Sequence, residues 1–240
     1  MRVVIVRHHR QDSAGFIAEA FEARGAELTE HLIGQDGLLP APDGLDHIVV
    51  LGAIFSVYSD GAVSAWIADE LAWLRRADEA GVPVLGICFG AQALAAAFGG
   101  AVEAAPRREI GWTVIDSIDH ELVPPGPWLE FHGDRCLLPP QARLLASNDV
   151  GVQAFSLGRH LAVQFHPEVD GEQLRLWLDA DGREMVERTG LDPDQLVAET
   201  VVQEPASRDR AAALVTTALR IARGDGSPQR VICAATGIDG

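Results

Sequence analysis

The sequence predicts an α/β chain: a doubly wound, mostly parallel sheet flanked by helices, with a helical extension at its C-terminal end. Three observations predict it. Apolar runs of strand length alternate with amphipathic helical segments over residues 2–97. Short turns rich in Gly, Pro and Asp join them. An apolar run at 82–85 breaks at Gly86-Ile87-Cys88-Phe89-Gly90 and passes straight into the helix-forming stretch 91–97.

Taken in order, residues 2–8 read as a first strand. Residues 13–24 form an amphipathic helix with Phe16, Ala20 and Phe21 on one face and Gly25 as its stop. A second strand is expected at 27–33, a loop at 34–44 and a buried strand from His47 to Leu51, ending at Gly52-Ala53. A long helix covers 62–80, with Trp66, Leu71, Trp73 and Leu74 spaced for one face and Gly81 as its stop. After Gly99-Gly100 short β-like runs follow at 102–103, 112–118, 128–131, 135–138, 144–147, 153–155 and 160–165. They predict a mixed extension of the sheet. From Gly171 the chain turns helical, at 172–188, 192–203 and 208–223, where Asp192-Pro193 and Ser207 suit helix starts. The expected division is an α/β unit over 1–170 and a helical extension over 171–240 packed on it. The tail after Gly224 has little to fix it, although Val231-Ile232-Cys233 could dock.

Composition narrows the function classes. The chain has 240 residues, 48% of them hydrophobic, enough for one well-cored α/β domain. Mean hydropathy is +0.09, and no apolar stretch approaches a membrane span. Residues 1–7 lack the length and cleavage site of a signal peptide, so a cytoplasmic protein is expected. The net charge of −16 is the wrong sign for a phosphate-backbone binder, so no nucleic-acid partner is expected. All 19 basic residues are arginine. Without lysine there is no Walker A lysine, Schiff-base lysine or Ser–Lys dyad, and no ATP-using synthetase in this chain. Three cysteines, none in a C-x-x-C pair, argue against a disulfide framework or structural zinc. Cys136 sits in an apolar run as a small core residue, and Cys233 lies in the tail without supporting chemistry.

The chemistry centres on Cys88. A glycine-flanked residue between strand and helix is the Gly-x-nucleophile-x-Gly elbow, here with cysteine as nucleophile. The flanking glycines suit a strained, crowded turn in which a Cβ would clash. The helix N-terminus favours thiolate over thiol. A thiolate nucleophile needs a base and a group to orient that base. The strand before Gln164-Phe165-His166-Pro167-Glu168 ends in a histidine, and Pro167 turns the chain out of the sheet. In an open parallel sheet the strand ends line one crevice, so Cys88 and His166 can meet, with Glu168 setting the imidazole tautomer.

Together these residues resemble the class I, triad-type glutamine amidotransferases, with their flavodoxin-like fold. The likeness covers about residues 45–170 and is closest to the amidotransferase half of guanosine monophosphate synthetase. Five pieces stand in the family's order: Gly52-Ala53-Ile54 with its neighbours, the elbow with trailing Gln92, Arg108-Glu109-Ile110-Gly111, Phe131-His132-Gly133-Asp134, and Gln164 to Glu168. The resemblance implies amide hydrolysis by Cys88, His166 and Glu168. The backbone N–H of Phe89 and one from Gly52-Ala53 would form the oxyanion hole. Gln92 would hold the substrate's amino-acid end, with Glu109 in the pocket. No metal or organic cofactor is implied. The substrate would be glutamine or a γ-glutamyl compound, and ammonia would pass to a partner synthase. Two other readings stay open: a stand-alone γ-glutamyl hydrolase, and a partner-binding module that keeps the shell. The acidic helical region could cover the active-site side or make a homodimer contact.

Relatives usually have two glycines and a proline where Gly52-Ala53-Ile54 stands here. A positive φ at Ala53 would cost roughly 1–2 kcal/mol, so another loop conformation is one expectation. Gln92 is equally readable as a buried helix-start residue and Glu109 as a solvated charge. His132 and Asp134 read as turn-stabilising, and His8-His9-Arg10 as an exposed loop. Trp66, Trp73 and Trp177 read as helix-face core or interface residues.

Overall fold

The computed structural model describes residues 1–224, with 62, 63 and 181 described by backbone alone. In chain order it contains β1 (Arg2–Arg7), α1 (Gly15–Glu22), β2 (Glu27–Leu32), β3 (His47–Val50), α2 (Ala62–Glu79), β4 (Val84–Ile87) and α3 (Phe89–Ala97). Then come β5 (Ala101–Thr113), β6 (Asp116–Ser117), β7 (Trp128–Leu137), β8 (Arg143–Ser147), β9 (Val152–Leu157) and β10 (His160–Val163). The helices α4 (Gly171–Trp177), α5 (Arg183–Glu187) and α6 (Pro193–Ala222) complete it, with a π-turn over Leu178–Gly182 between α4 and α5.

The main sheet runs β2-β1-β3-β4-β10-β9-β8-β6. From β2 to β10 neighbours are parallel; β9, β8 and β6 add antiparallel pairs. The parallel strands are apolar on both faces because helices cover both. In β1, Val3 and Ile5 join Phe16, Ile17 and Phe21 of α1 and Leu214, Val215 and Ala218 of α6. Val4 and Val6 face the other way, with Trp73, Leu74 and Ala77 of α2 and Leu94 of α3. Among the described residues no helix is long and apolar enough to cross a membrane.

Three expectations change. First, β5 and β7 do not extend the sheet; they form a separate two-stranded antiparallel ribbon. The expected pairs of short runs at each end of β5 and of β7 fuse into single strands. Pro106 falls where the β5–β7 register shifts, between Ala104 and Glu109, so its missing N–H breaks no ladder bond. Second, the expected helix 172–188 is split by the π-turn. A Cβ on Gly182 would lie 2.7 Å from the Trp177 carbonyl oxygen, a closeness only glycine permits. Third, the helices expected at 192–203 and 208–223 are one, α6, with Pro205 inside it. Leu196 and Val197 pack with Leu129 of the ribbon, while Leu214 and Ala218 pack with α1. Anchorage on both sides of Pro205 overrides a break worth about 3 kcal/mol. The reading of the tail, Cys233 included, and the last part of the 171–240 extension lie outside the described residues.

Candidate active site

Cys88 is the single residue between β4 and α3, and its backbone is at φ 52°, ψ −105°. Among the described residues it alone has a positive φ without being glycine. Such a conformation costs of order 1–3 kcal/mol and persists only where the surroundings fix it. Here they do. The Cys88 N–H donates to the Val163 carbonyl at 2.8 Å. A Cβ on Gly86 would lie 2.5 Å from the Gly90 oxygen, and one on Gly90 would lie 2.2 Å from the Val50 oxygen. The elbow is locked against β3 and β10 by backbone contact that any side chain would prevent.

His166 lies three residues beyond the end of β10. Its N–H donates to the Leu129 carbonyl of β7 at 2.8 Å, so the ribbon holds the loop in place. Its Nδ1 lies 2.7 Å from Glu168 Oε1, and both side chains are buried. A carboxylate can only accept, so Nδ1 carries a hydrogen and Nε2 is the nitrogen left for Cys88, whose side chain hydrogen-bonds the ring. Burial pulls the imidazole pKa down, but the charges of Glu168 and Cys88 outweigh it and hold it well above the ordinary value. A Cβ built on Gly52 would meet His166 Cε1 at 3.1 Å and Cys88 Cβ at 3.7 Å, so cysteine and histidine flank the same glycine. Trp177 packs edge-on to His166 at 4.9 Å between ring centroids.

These residues open on one cavity of about 620 Å³. Gly52, Ala53, Cys88, Gln92 and His166 line it, as do His132, Asp134 and Trp177. Ala53 keeps a negative φ, so the cost of a left-handed residue is not incurred there. Phe89 begins α3 with its side chain buried, edge-on to the His8 ring at 4.7 Å. Gln92 is 3% exposed and donates from Nε2 to Gln164 Oε1 at 3.3 Å. Glu109 stands one side chain back from the cavity. It accepts from Asn148 Nδ2 at 2.7 Å and Gln153 Nε2 at 2.8 Å, and lies 3.2 Å from His132 Nε2.

His132 and Asp134 are not in a turn but within β7, where alternate residues share a face. His132 donates from Nδ1 to the Asp134 carbonyl at 2.8 Å, and its Nε2 lies 3.1 Å from Glu130 Oε2. Burial opposes its charge, yet Glu109 and Glu130 raise its pKa to about 10. Burial raises the Glu130 carboxyl as well, and the neighbouring His132 offsets part of that rise. Ligand atoms of Glu109, Glu130 and His132 lie within 4.8 Å of one another, a spacing that a metal ion could use. With His132 charged, the two carboxylates and the imidazole form a buried ion network. Asp134 accepts from Tyr58 OH at 2.7 Å and from Ser56 Oγ, tying the 52–58 loop to the ribbon.

Sequence reading missed four neighbours of the site. His8, read as exposed, has a side chain only 1% exposed, paired with a Glu70 that is 0% exposed. Glu130 sits in a strand of apolar pattern, and Trp177 meets the cavity instead of serving only as packing. The signal for His8 was its place at the C-terminal end of the first strand, where crevices form.

A GMP synthase [glutamine-hydrolyzing] from Methylobacillus flagellatus is 39% identical over 140 residues, covering 51% of this chain and 25% of that protein. One from Cupriavidus necator is 32% identical over 177 residues, covering 64% of this chain and 30% of that protein. The chain thus spans between a quarter and a third of the length of these two relatives. A glutamine amidotransferase structure from Thermotoga maritima superposes with a TM-score of 0.81 at 22% identity, covering 92% of this chain and 98% of that one. A glutamine amido transferase from Methylobacillus flagellatus gives the same TM-score and identity over 92% and 94%. At that identity the superpositions establish the fold. The family's sequence model, described as glutamine amidotransferase class-I, matches residues 16–176, and the chain belongs to that family.

Proposed function

We propose that this chain hydrolyses the side-chain amide of glutamine through Cys88, His166 and Glu168. The observation that carries the reading is a cysteine at a strained elbow sharing one cavity with a histidine whose far nitrogen is held by a buried carboxylate. The Cys88 thiol gives its proton to His166 Nε2, the sulfur attacks the amide carbon, and the C=O electron pair moves onto oxygen. The N–H groups of Phe89 and Ala53 stabilise that oxyanion; one such donor is typically worth about 3–4 kcal/mol. His166 passes a proton to the nitrogen, the C–N bond breaks, and ammonia leaves a γ-glutamyl thioester. His166 then takes a proton from water as it attacks the thioester, and glutamate is released. Glu168 keeps Nε2 facing the sulfur throughout. Gln92 contacts the amino-acid end, and Glu109 acts behind His132. The reaction needs no metal or organic cofactor. The ammonia goes to a partner synthase, in keeping with similarity to GMP synthase [glutamine-hydrolyzing].

The cavity volume favours a second reading. About 620 Å³ also accommodates a γ-glutamyl amide with a larger leaving amine. The test is release of ammonia from glutamine, and of amines from a set of γ-glutamyl amides, by wild type and Cys88→Ala. Release by wild type alone supports the triad, and the preferred substrate separates the two readings. Equal release by both proteins ends both.

A further inference from the structure

His8 meets both segments that the proposed oxyanion hole draws on, the Gly52 carbonyl directly and Phe89 through its ring. It follows β1, and its ring is buried between Trp66 at 5.4 Å and Phe89 at 4.7 Å, centroid to centroid. Its Nδ1 lies 2.9 Å from the Gly52 carbonyl oxygen. A carbonyl can only accept, so Nδ1 carries a hydrogen. Its Nε2 lies 3.0 Å from Glu70 Oε2 and 3.2 Å from Oε1. Glu70 belongs to α2, is fully buried and has no role in the proposed chemistry. Burial pulls the His8 pKa down, but Glu70, then the Gly52 carbonyl and Asp12, raise it above its ordinary value. The ring thus carries a hydrogen on both nitrogens and is clamped at both ends.

A trans peptide is planar, with its C=O and N–H pointing to opposite sides. Holding the Gly52 carbonyl on His8 therefore fixes the direction of the Ala53 N–H. Among the described residues no hydrogen bond uses that N–H. Gly52 also sits against both Cys88 and His166. In the loop Gly52-Ala53-Ile54 the Gly52 carbonyl is held by the His8 ring.

We propose that His8, held by Glu70, is a positioning residue that orients the Gly52–Ala53 peptide so that its N–H faces the oxyanion formed at Cys88. This rests on the triad reading and deepens it. The clamp does not touch substrate. It sets the hole before substrate arrives, so its loss costs turnover more than binding.

The test uses the full chain, γ-glutamyl p-nitroanilide and a γ-glutamyl aldehyde, which Cys88 would add to as a thiohemiacetal. His8→Asn keeps a donor near the Nδ1 position. His8→Gln keeps one near Nε2 and leaves the Gly52 carbonyl unheld. The expected result for His8→Gln is a tenfold to hundredfold fall in kcat, judged against loss of a whole donor. KM should stay within about twofold, and aldehyde affinity should fall with kcat. Iodoacetamide alkylation of Cys88, which forms no oxyanion, should be unchanged. His8→Asn should recover kcat to within about threefold of wild type. Should His8→Gln fail to fold with Glu70 left unpaired, His8→Gln/Glu70→Gln carries the same test. Wild-type kcat and aldehyde affinity in the Gln variants would overturn the proposal, as would equal losses in the Gln and Asn variants. Activity surviving Cys88→Ala would instead overturn the triad.

Discussion

Cys88 shows how residue-scale strain is held. Its left-handed φ is unfavourable by itself, and two glycines let neighbouring backbone close around it. Gly90→Ala should therefore destabilise the chain by about 1–3 kcal/mol, the range for forcing atoms into a packed site, read from chemical denaturation. Glu168→Gln removes the charge that most raises His166. The His166 pKa should fall, the acid limb of the kcat/KM profile should move to lower pH, and kcat should drop at least a hundredfold, as expected when the base loses its orienting partner. The elbow and the His-Pro-Glu sequence were legible because glycine and proline mark them. His8, Glu70 and Glu130 were not. Each is a polar residue whose partner comes from another element, and one sequence does not reveal cross-element pairing.

Elements were legible wherever one period dominated. The parallel strands, α1 and α2 fell close to expectation because apolar runs and glycine stops agree there. The ribbon was not separable from the sheet, since a strand's pattern does not name its neighbour. α6 defeated its own breaker. Pro205 cannot donate to the Val201 carbonyl, and packing on either side holds the helix together regardless. Pro205→Ala should restore that bond and stabilise the chain by about 1–3 kcal/mol, less any entropy gained by the unfolded chain. A rise in the thermal midpoint checks it.

Across the whole molecule, two buried histidines respond to pH in opposite senses. His47 is buried with both ring nitrogens unpartnered, and burial, then His160, lowers its pKa to about 3. Its contribution is complete above the unfolded value near 6.5 and is lost as pH falls toward 3. His132, raised to about 10 by Glu109 and Glu130 against burial, contributes fully below 6.5 and loses that contribution as pH rises through 10. Denaturation midpoints between pH 4 and 10 should therefore peak near neutrality. His47→Leu should flatten the acid limb and leave the alkaline limb in place.

All of the proposed chemistry depends on a reactive sulfur at the elbow beside His166. Treatment with a glutamine-derived diazo-ketone, followed by peptide mass spectrometry, reads this most directly. The expected outcome is one adduct, on the peptide holding Cys88, formed much more slowly in His166→Ala and not at all in Cys88→Ala. An unmodified Cys88 in wild type, or labelling at the same rate without His166, would contradict it.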